Sequence, residues 1–275
     1  MPDPFDRLER FYDAVPRDRA HTEEVGGLVL FAREGAGWPF YARPRLDATE
    51  PPSAADVIAV RARQREIGVP EAFEWVHETT PELLAVARSA GLAVLEAPLM
   101  VLDPAALPAA DGVPVRLLDP DAPSFAADLA VGRGGGGVGF GTRGRGGGPG
   151  APPDRDAATV PYQPEELAEE QRLTRAGRHA HALAATPEEG ALAAGVYQRV
   201  DDVAEIVGVA TLPAARRRGL AAAVTGALAR HARDHGVDLV FLSAGSADVA
   251  RVYARLGFRR IGTACIAEPA PVPSP

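Results

Sequence analysis

The spacing of apolar and polar residues predicts that helices and strands succeed one another along the whole chain. Helical spacing predicts helices over residues 5–15, 53–67, 81–90, 164–176, 215–234 and 247–256, and a further one near Ser124. Two-residue alternation and short apolar runs predict strands over 26–33, 38–45, 72–77, 93–102, 114–118, 179–185, 190–200, 203–212, 239–243 and 259–268. Strands that meet first in hairpins and then through helices predict an α/β (α+β) fold with a mixed sheet, antiparallel at one end and with parallel crossovers at the other.

The two halves of the chain repeat one order of elements. A strand, a helix, a glycine with an apolar residue and a second strand occur around Gly91-Leu92 and again around Gly257-Phe258. This repetition predicts an internal duplication. We therefore expect one domain over residues 1–111, a second over 112–268, and a disordered proline-rich tail over 269–275.

Glycine is concentrated in the middle of the chain, where 12 of the 29 glycines lie between Gly132 and Gly150. Such a segment buries too little apolar surface to offset its ordering entropy, so we predict a disordered loop over 132–153. An arginine-glycine segment that binds nucleic acid is the alternative interpretation. The formal charge of −8 disfavours it, and disfavours binding to anionic membranes as well.

Composition narrows the class of protein further. The chain has 275 residues, 46% of them hydrophobic, which suffices for a true core. Its single cysteine, Cys265, excludes both an intramolecular disulfide and a multi-thiolate metal site. All of its basic residues are arginines, so catalysis by lysine is excluded. An acidic N-terminus and the lack of a long apolar run lead us to expect a cytoplasmic protein.

The strongest chemical signal is the stretch from Thr211 to Ala222. A β-branched strand runs through Pro213 into an arginine-rich turn with Gly219, and a helix of small and aliphatic residues follows. The unpaired N–H groups and the dipole at a helix start attract an anion, and the small residues Gly219 and Ala221 leave room for a diphosphate. An ordinary helix start with solvated arginines is the alternative interpretation.

The pattern Arg-x-x-Gly-x-Ala, formed by Arg216, Gly219 and Ala221, resembles the coenzyme A pyrophosphate loop of the GNAT N-acetyltransferase superfamily. The segment from Ser246 to Phe258 resembles that family's later motif, a helix that bears a tyrosine and ends in Leu-Gly-Phe. The resemblance implies a GNAT acyltransferase fold for the second domain. The first domain then resembles a degenerate copy in a tandem, because its corresponding turn, 47–52, is acidic and lacks glycine, and Ala87 stands in place of the tyrosine.

The resemblance also implies roles for individual residues. Tyr253 would be the general acid that protonates the departing thiolate. The backbone of Val209, Ala210 and Thr211 would meet the pantetheine arm. The pyrophosphate would be held by Arg216, Arg217, Arg218, Gly219, Leu220, Ala221 and Ala222, with Ser246 at a position near the cofactor arm where the family often has asparagine.

Two further groups of residues are candidates for chemistry. Glu205 is a candidate base, since alternation along the strand predicts one face for Glu205, Val207, Val209 and Thr211; a solvent-exposed strand end is the alternative. His179 and His181 lie two apart on a predicted strand, as two metal ligands would, but no third ligand is close in sequence. We therefore predict no metal.

Taken together, these features predict an acetyl-CoA-dependent N-acetyltransferase that works by direct attack of an amine in a ternary complex. The alternative is a non-catalytic acyl-CoA-binding sensor on the same fold. The acceptor would be an amine of a small molecule or peptide, with no nucleic acid or membrane as partner, and the sequence predicts neither its identity nor an oligomeric state.

Overall fold

The protein is described here by a computed structural model that covers residues 3–35, 37, 39–103, 105–106, 113–141 and 150–270. Its helices are α1 (Pro4–Arg17), α2 (Ala54–Glu66), α3 (Glu82–Ser89), α4 (Phe125–Gly141), α5 (Pro152–Ala158), α6 (Pro164–Arg175), α7 (Leu220–Asp234) and α8 (Ala247–Ala254), with a 3-10 turn at Pro213–Ala215. Its strands are β1 (Ala20–Val25), β2 (Leu28–Arg33), β3 (Ala42–Pro44), β4 (Phe73–Val76), β5 (Leu92–Leu102), β6 (Val115–Leu117), β7 (His179–Thr186), β8 (Gly190–Val200), β9 (Val203–Thr211), β10 (Leu239–Ser243) and β11 (Phe258–Pro269).

The chain forms two compact units that are not contiguous in sequence. Unit 1 consists of Met1–Met100, Ser243–Ala250 and Arg260–Pro275, and unit 2 consists of Val101–Leu242 and Arg251–Arg259. The division differs from the boundary at 111/112 that we predicted. The reason is strand pairing: β11, from the end of the chain, lies between β4 and β5 in unit 1 and pairs antiparallel with β4 through Cys265 and Trp75.

Unit 1 has the strand order β1-β2-β3-β4-β11-β5. Helix α2 begins at Ser53 with a capping box, in which the Ser53 hydroxyl accepts from the Asp56 N–H and the Asp56 carboxylate accepts from the Ser53 N–H. Buried side chains of β2, α2, β4 and α3 form one core with Cys265 of β11. The predicted 26–33 strand begins two residues later than expected, and the preceding strand β1 was not predicted.

Unit 2 has the strand order β10-β9-β8-β7-β6, with β9 and β10 parallel and the remaining pairs antiparallel. This mixed arrangement confirms the predicted fold class. Helix α7 packs on one face of the sheet. Helix α4 packs on the other, where Phe125 and Leu129 meet Leu183 of β7.

The predicted disordered loop over 132–153 is wrong for the residues that the structure describes. Residues up to Gly141 belong to α4, and α5 begins at Pro152, while 142–149 lie outside the described residues. Close packing explains two of these glycines: a Cβ on Gly134 would stand 2.7 Å from the Thr159 hydroxyl oxygen, and one on Gly139 would stand 3.1 Å from the Cβ of Ala210. Pro269, the first residue of the predicted disordered tail, is instead the last residue of β11, and residues 271–275 of that prediction lie outside the described residues.

Candidate active site

Strand β9 contains a β-bulge in the middle of its pairing with β8. Val207 lies opposite Val196 and Ala210 lies opposite Ala194, so Gly208 and Val209 together face a single residue, Gly195. Gly208 lies in this bulge and adopts a left-handed conformation, with φ of +64°. A Cβ on Gly195 would lie 2.9 Å from Val224 of α7, so the close approach of this helix requires glycine there.

The bulge reverses which side chains share a face, and the predicted common face of Glu205, Val207, Val209 and Thr211 is wrong. Residues directly opposite one another lie on the same side of a sheet, so Glu205 and Val207 share the face of Ala210. Thr211, opposite Ala193, lies on the other face, toward α7. Val209 is on the α7 face as well, since its Cγ2 lies 3.1 Å from the position of a Gly195 Cβ. One extra residue in a strand reverses the alternation beyond it.

Strands β9 and β10 diverge directly after Glu205. Between these two fully described strands the parallel pairs are Leu239 with Val203, Val240 with Ala204 and Phe241 with Glu205, yet β9 continues to Thr211. Glu205 is half-buried at the point of divergence. The opening exposes one edge of the bulged end of β9, and such an edge can hydrogen-bond an extended ligand.

The turn that leads into α7 has the geometry of an anion site. Gly219 is the N-cap residue with φ of +79°, and Arg217 also adopts a left-handed conformation, with φ of +65°. The first bond of the helix runs from the Ala223 N–H to the Gly219 carbonyl at 3.0 Å, so the N–H groups of Leu220, Ala221 and Ala222 precede it. A Cβ on Gly219 would meet nothing within 4 Å, which leaves open space beside these groups.

Two of the three arginines in this turn contact the chain itself. The Arg216 guanidinium donates to the carbonyl of Gly139 at 3.0 Å, which joins the turn to the end of α4. Arg218 forms an ion pair with Glu189 at 2.8 Å. Arg217 is exposed, and its left-handed backbone costs about 1–2 kcal/mol. Backbone strain of this kind is common in turns that bind ligands.

The strand end before the turn contains a buried hydroxyl without a hydrogen-bond partner. Among the described residues, the Oγ1 atom of Thr211 is buried and has no hydrogen-bond partner. A buried hydroxyl is costly to leave unpaired, so Thr211 is a position where a polar ligand group fits. This hydroxyl and the open space at Gly219 are compatible with a coenzyme A ligand.

Tyr253 lies in unit 2 near α7 and is 7% exposed. Burial raises the pKa of Tyr253 to about 12, and the nearby hydroxyl of Thr225 offsets part of that rise. The phenol therefore keeps its proton throughout the neutral and mildly alkaline range. Ser246, the remaining predicted cofactor residue, belongs to unit 1, where its hydroxyl accepts from the Val249 N–H at 3.3 Å at the start of α8.

The structure adds a cluster that the sequence did not predict. Glu170 of α6 lies against β7, where its Oε2 is 2.9 Å from His179 Nδ1 and 3.0 Å from His181 Nε2. The expectation of no metal depended on the lack of a third ligand, and Glu170 removes that reason. The signal available in the sequence was the acidic helix beside the His-x-His strand, but only the fold shows which acidic residue faces it.

Comparison with known proteins supports the family suggested by the motifs. Residues 154–258 match the family model of the acetyltransferase (GNAT) family. The matched segment contains Glu205, the turn before α7 and Tyr253. No curated protein matches the sequence.

Solved structures show the same fold over almost the whole chain. A GCN5-related N-acetyltransferase from Kribbella flavida is 19% identical, with a TM-score of 0.68 over 98% of each chain. A GCN5-related N-acetyltransferase-like protein from Streptococcus suis 89/1591 is 10% identical, with a TM-score of 0.53 over 96% of this chain and 97% of that one.

A tandem GNAT protein from the clavulanic acid biosynthesis pathway is 18% identical, with a TM-score of 0.53 over 90% of this chain and 80% of that one. The fold is therefore that of a tandem GNAT protein. The first unit lacks the glycine turn: the segment after β3 has Asp47 in an ion pair with Arg45, and Ala87 is buried in the core. Among the described helices, none is long and apolar enough to cross a membrane.

Proposed function

We propose that the protein is an acetyl-CoA-dependent N-acetyltransferase that transfers an acetyl group to an amine of a small molecule or peptide. The observation that carries this proposal is the left-handed turn at Arg217 and Gly219, which opens the N-terminus of α7 beside the diverging end of β9. Three N–H groups and a helix dipole there suit the diphosphate of coenzyme A. The absence of a membrane-spanning helix among the described residues is compatible with the cytoplasmic location we expect.

The opening between β9 and β10 supports the position of the pantetheine arm. An extended arm of amide groups would lie along the exposed edge of Val209, Ala210 and Thr211, and the bulge turns this edge away from the regular ladder. The thioester would then point toward the place where the two strands separate, at Glu205. A direct attack by the amine in a ternary complex requires both substrates to meet there.

Glu205 is the proposed base. An amine at neutral pH is mostly protonated and must lose a proton before it attacks the thioester carbon. In the proposed reaction nitrogen forms a bond to the acetyl carbon, the carbon–sulfur bond breaks, and the electron pair leaves on the thiolate. The proton of the amine passes to Glu205, directly or through one water. The half-buried position of Glu205 at the point of divergence supports this role.

Tyr253 is the proposed donor to the departing thiolate. An ordinary thiol has a pKa of about 8.5, so full transfer from a phenol with a pKa of about 12 is uphill by roughly 5 kcal/mol. Donation of a hydrogen bond to the developing thiolate needs no such transfer. We therefore assign Tyr253 the role of a hydrogen-bond donor that stays protonated while the thiolate leaves. A proton reaches the sulfur only once the amine has released its own proton.

Turnover of the full chain with acetyl-CoA and a panel of amines tests these roles. Tyr253→Phe and Glu205→Gln should each lower the rate by about 100-fold or more while acetyl-CoA still binds. Tyr197→Phe is the matched control, since Tyr197 is also buried and its hydroxyl is hydrogen-bonded to His231 at 2.9 Å, outside the proposed site. An unchanged rate in Tyr253→Phe would refute its proposed role.

The alternative, an acyl-CoA-binding sensor without turnover, has one observation in its favour. Tyr253 is only 7% exposed and has a pKa raised to about 12, which makes it a poorer acid than an ordinary tyrosine. A sensor would bind acetyl-CoA at the same turn and release no thiol with any amine. Binding without turnover, with Tyr253→Phe indistinguishable from the wild type, is the result that the sensor predicts.

A further inference from the structure

The Glu170, His179 and His181 side chains converge from two elements onto one point of unit 2. His179 and His181 alternate on β7 and so lie on one face of the sheet, and Glu170 reaches them from the middle of α6. One oxygen of Glu170 lies within 3.0 Å of a ring nitrogen on each histidine. The candidate ligand atoms of the three residues all lie within 4.8 Å of one another.

The two distances from the Glu170 oxygen match the edges of a metal coordination shell. Ligands at the usual 2.0–2.1 Å from a divalent transition metal are about 3.0 Å apart along an octahedral edge and about 3.3 Å apart along a tetrahedral one. The observed separations of 2.9 and 3.0 Å from the Glu170 oxygen to the two nitrogens therefore need little or no adjustment. Two imidazoles and one carboxylate are also the ligand set of several open transition-metal sites.

The surroundings hold the three ligands in place without closing the site. The side chains of His179, His181 and Glu170 are 10%, 15% and 16% exposed. Most of their conformational entropy is therefore already lost on folding, while a path to solvent remains. The ring of Phe125 contacts the His181 ring edge-on at 6.4 Å between centroids.

A cation on a neighbouring helix is already paired with another carboxylate. Arg133 of α4 lies over the ring of Tyr162 and is paired with Glu166 of α6. Glu169, the other acidic neighbour on α6, is paired with Arg172. Glu170 is thus the acidic side chain of α6 that faces the imidazoles, and its charge is available to a bound cation as well as to the two rings.

We propose that Glu170, His179 and His181 bind one divalent transition-metal ion, of the type represented by Zn²⁺ or Co²⁺, with the remaining coordination positions open to water. The ion would replace the protons that the two imidazoles otherwise direct at the carboxylate. His179 pairs with Gln198, and Gln198 pairs with Glu205, so the metal site lies on the same face of the sheet as Glu205. His179 and Glu205 are two strand spacings apart, or about 10 Å. The site is therefore separate from the proposed acetyl-transfer site.

Calorimetric titration of the full chain tests this proposal, after a chelator has been used and dialysed away and with Zn²⁺ as the probe. We expect one equivalent to bind and the thermal unfolding midpoint to rise, because the ion binds the folded state. Glu170→Gln and His181→Gln should each weaken binding by at least about 100-fold, since even the loss of an outer partner costs tenfold to 100-fold. Co²⁺ should give a visible ligand-field absorption that both variants lose.

The second histidine pair of the unit supplies the control. His231 in the last turn of α7 and His235, which directly follows the helix, are four residues apart with their rings stacked at 4.0 Å, a spacing that also suits a metal. His235→Gln should leave Zn²⁺ affinity unchanged. Loss of binding in His235→Gln with retention in His181→Gln would overturn the proposal, as would the lack of saturable binding to the wild type.

A wild-type experiment keeps the test valid if the variants do not fold. Carbethoxylation with diethyl pyrocarbonate, followed by peptide mass analysis, reports the exposure of each histidine to the reagent. Zn²⁺ should protect His181 and leave the exposed His235 reactive. Equal reactivity of His181 with and without Zn²⁺ would contradict the proposal.

Discussion

Glycine at the start of α7 should be required for acetyl-CoA binding, and the chain offers a matched position at the other end of the same helix. Gly219 precedes α7 with φ of +79°, and Gly236 follows it with φ of +83°. A Cβ at either position meets nothing within 4 Å. Replacement of either glycine therefore brings the same left-handed strain, about 1–2 kcal/mol, and no steric clash.

The difference between the two positions is electrostatic. With its charge at an assumed ~5 Å from the diphosphate, a glutamate at 219 would add a repulsion between two unit charges of about 0.8 kcal/mol in bulk water and about 3.3 kcal/mol at an effective dielectric constant of about 20. These values correspond to an increase in Kd of about fourfold to about 250-fold. Gly219→Glu should fall in that range, and Gly236→Glu should bind like the wild type, because the length of α7 separates it from the diphosphate.

Calorimetry with acetyl-CoA measures the two affinities, and thermal unfolding measures the two stabilities. Gly219→Ala, which adds the strain but no charge, separates the two contributions and should bind more tightly than Gly219→Glu. Equal loss of affinity in Gly219→Glu and Gly236→Glu would refute the assignment of the diphosphate to this turn, since it would show that the loss follows from destabilisation alone.

Three further predictions concern packing and ionisation. Gly134→Ala should destabilise the protein by about 1–3 kcal/mol, since its Cβ would stand 2.7 Å from the Thr159 hydroxyl oxygen. Gly137→Ala, whose Cβ would meet nothing within 4 Å, should stabilise helix α4 by about 0.5–1 kcal/mol. Urea unfolding of both variants tests whether this segment is helical. Burial raises the pKa of Glu74 from 4.5 to about 7, so its contribution to stability should be fully present below pH 4.5 and lost as the pH rises to 7. In urea unfolding, the free energy of unfolding should fall less between pH 5 and pH 8 in Glu74→Gln than in the wild type. An equal fall in both proteins would contradict this assignment. Burial likewise raises the pKa of Cys265 to about 12, so Ellman's reagent should modify it only after denaturation.

Local patterns in the sequence predicted most elements of the fold. The periodicity of residues 53–67 predicted α2, which the structure places over Ala54–Glu66, and the apolar run at 239–243 predicted β10 to the residue. These signals lie within one element, so they need no knowledge of the rest of the chain.

Long-range contacts explain what the sequence did not predict. The glycines of α4 have low helix propensity, but two of them, Gly134 and Gly139, permit a close approach of α4 to α5 and β9 that a side chain would block. The bulge at Gly208 becomes visible only through the register with β8, and it moves Thr211 to the opposite face from Glu205. The contact of Glu170 with His179 depends on how α6 packs against β7, which no pattern within either element records.

The most direct test of the proposed function follows the acetyl group itself. The full chain, incubated with acetyl-CoA labelled with ¹³C in the acetyl group and a mixture of amines, should yield at least one N-acetylated amine carrying the label, with one coenzyme A thiol released for each product. Mass spectrometry identifies the product and therefore the acceptor. Saturable binding of acetyl-CoA without labelled product from any amine would contradict the transferase and favour the sensor.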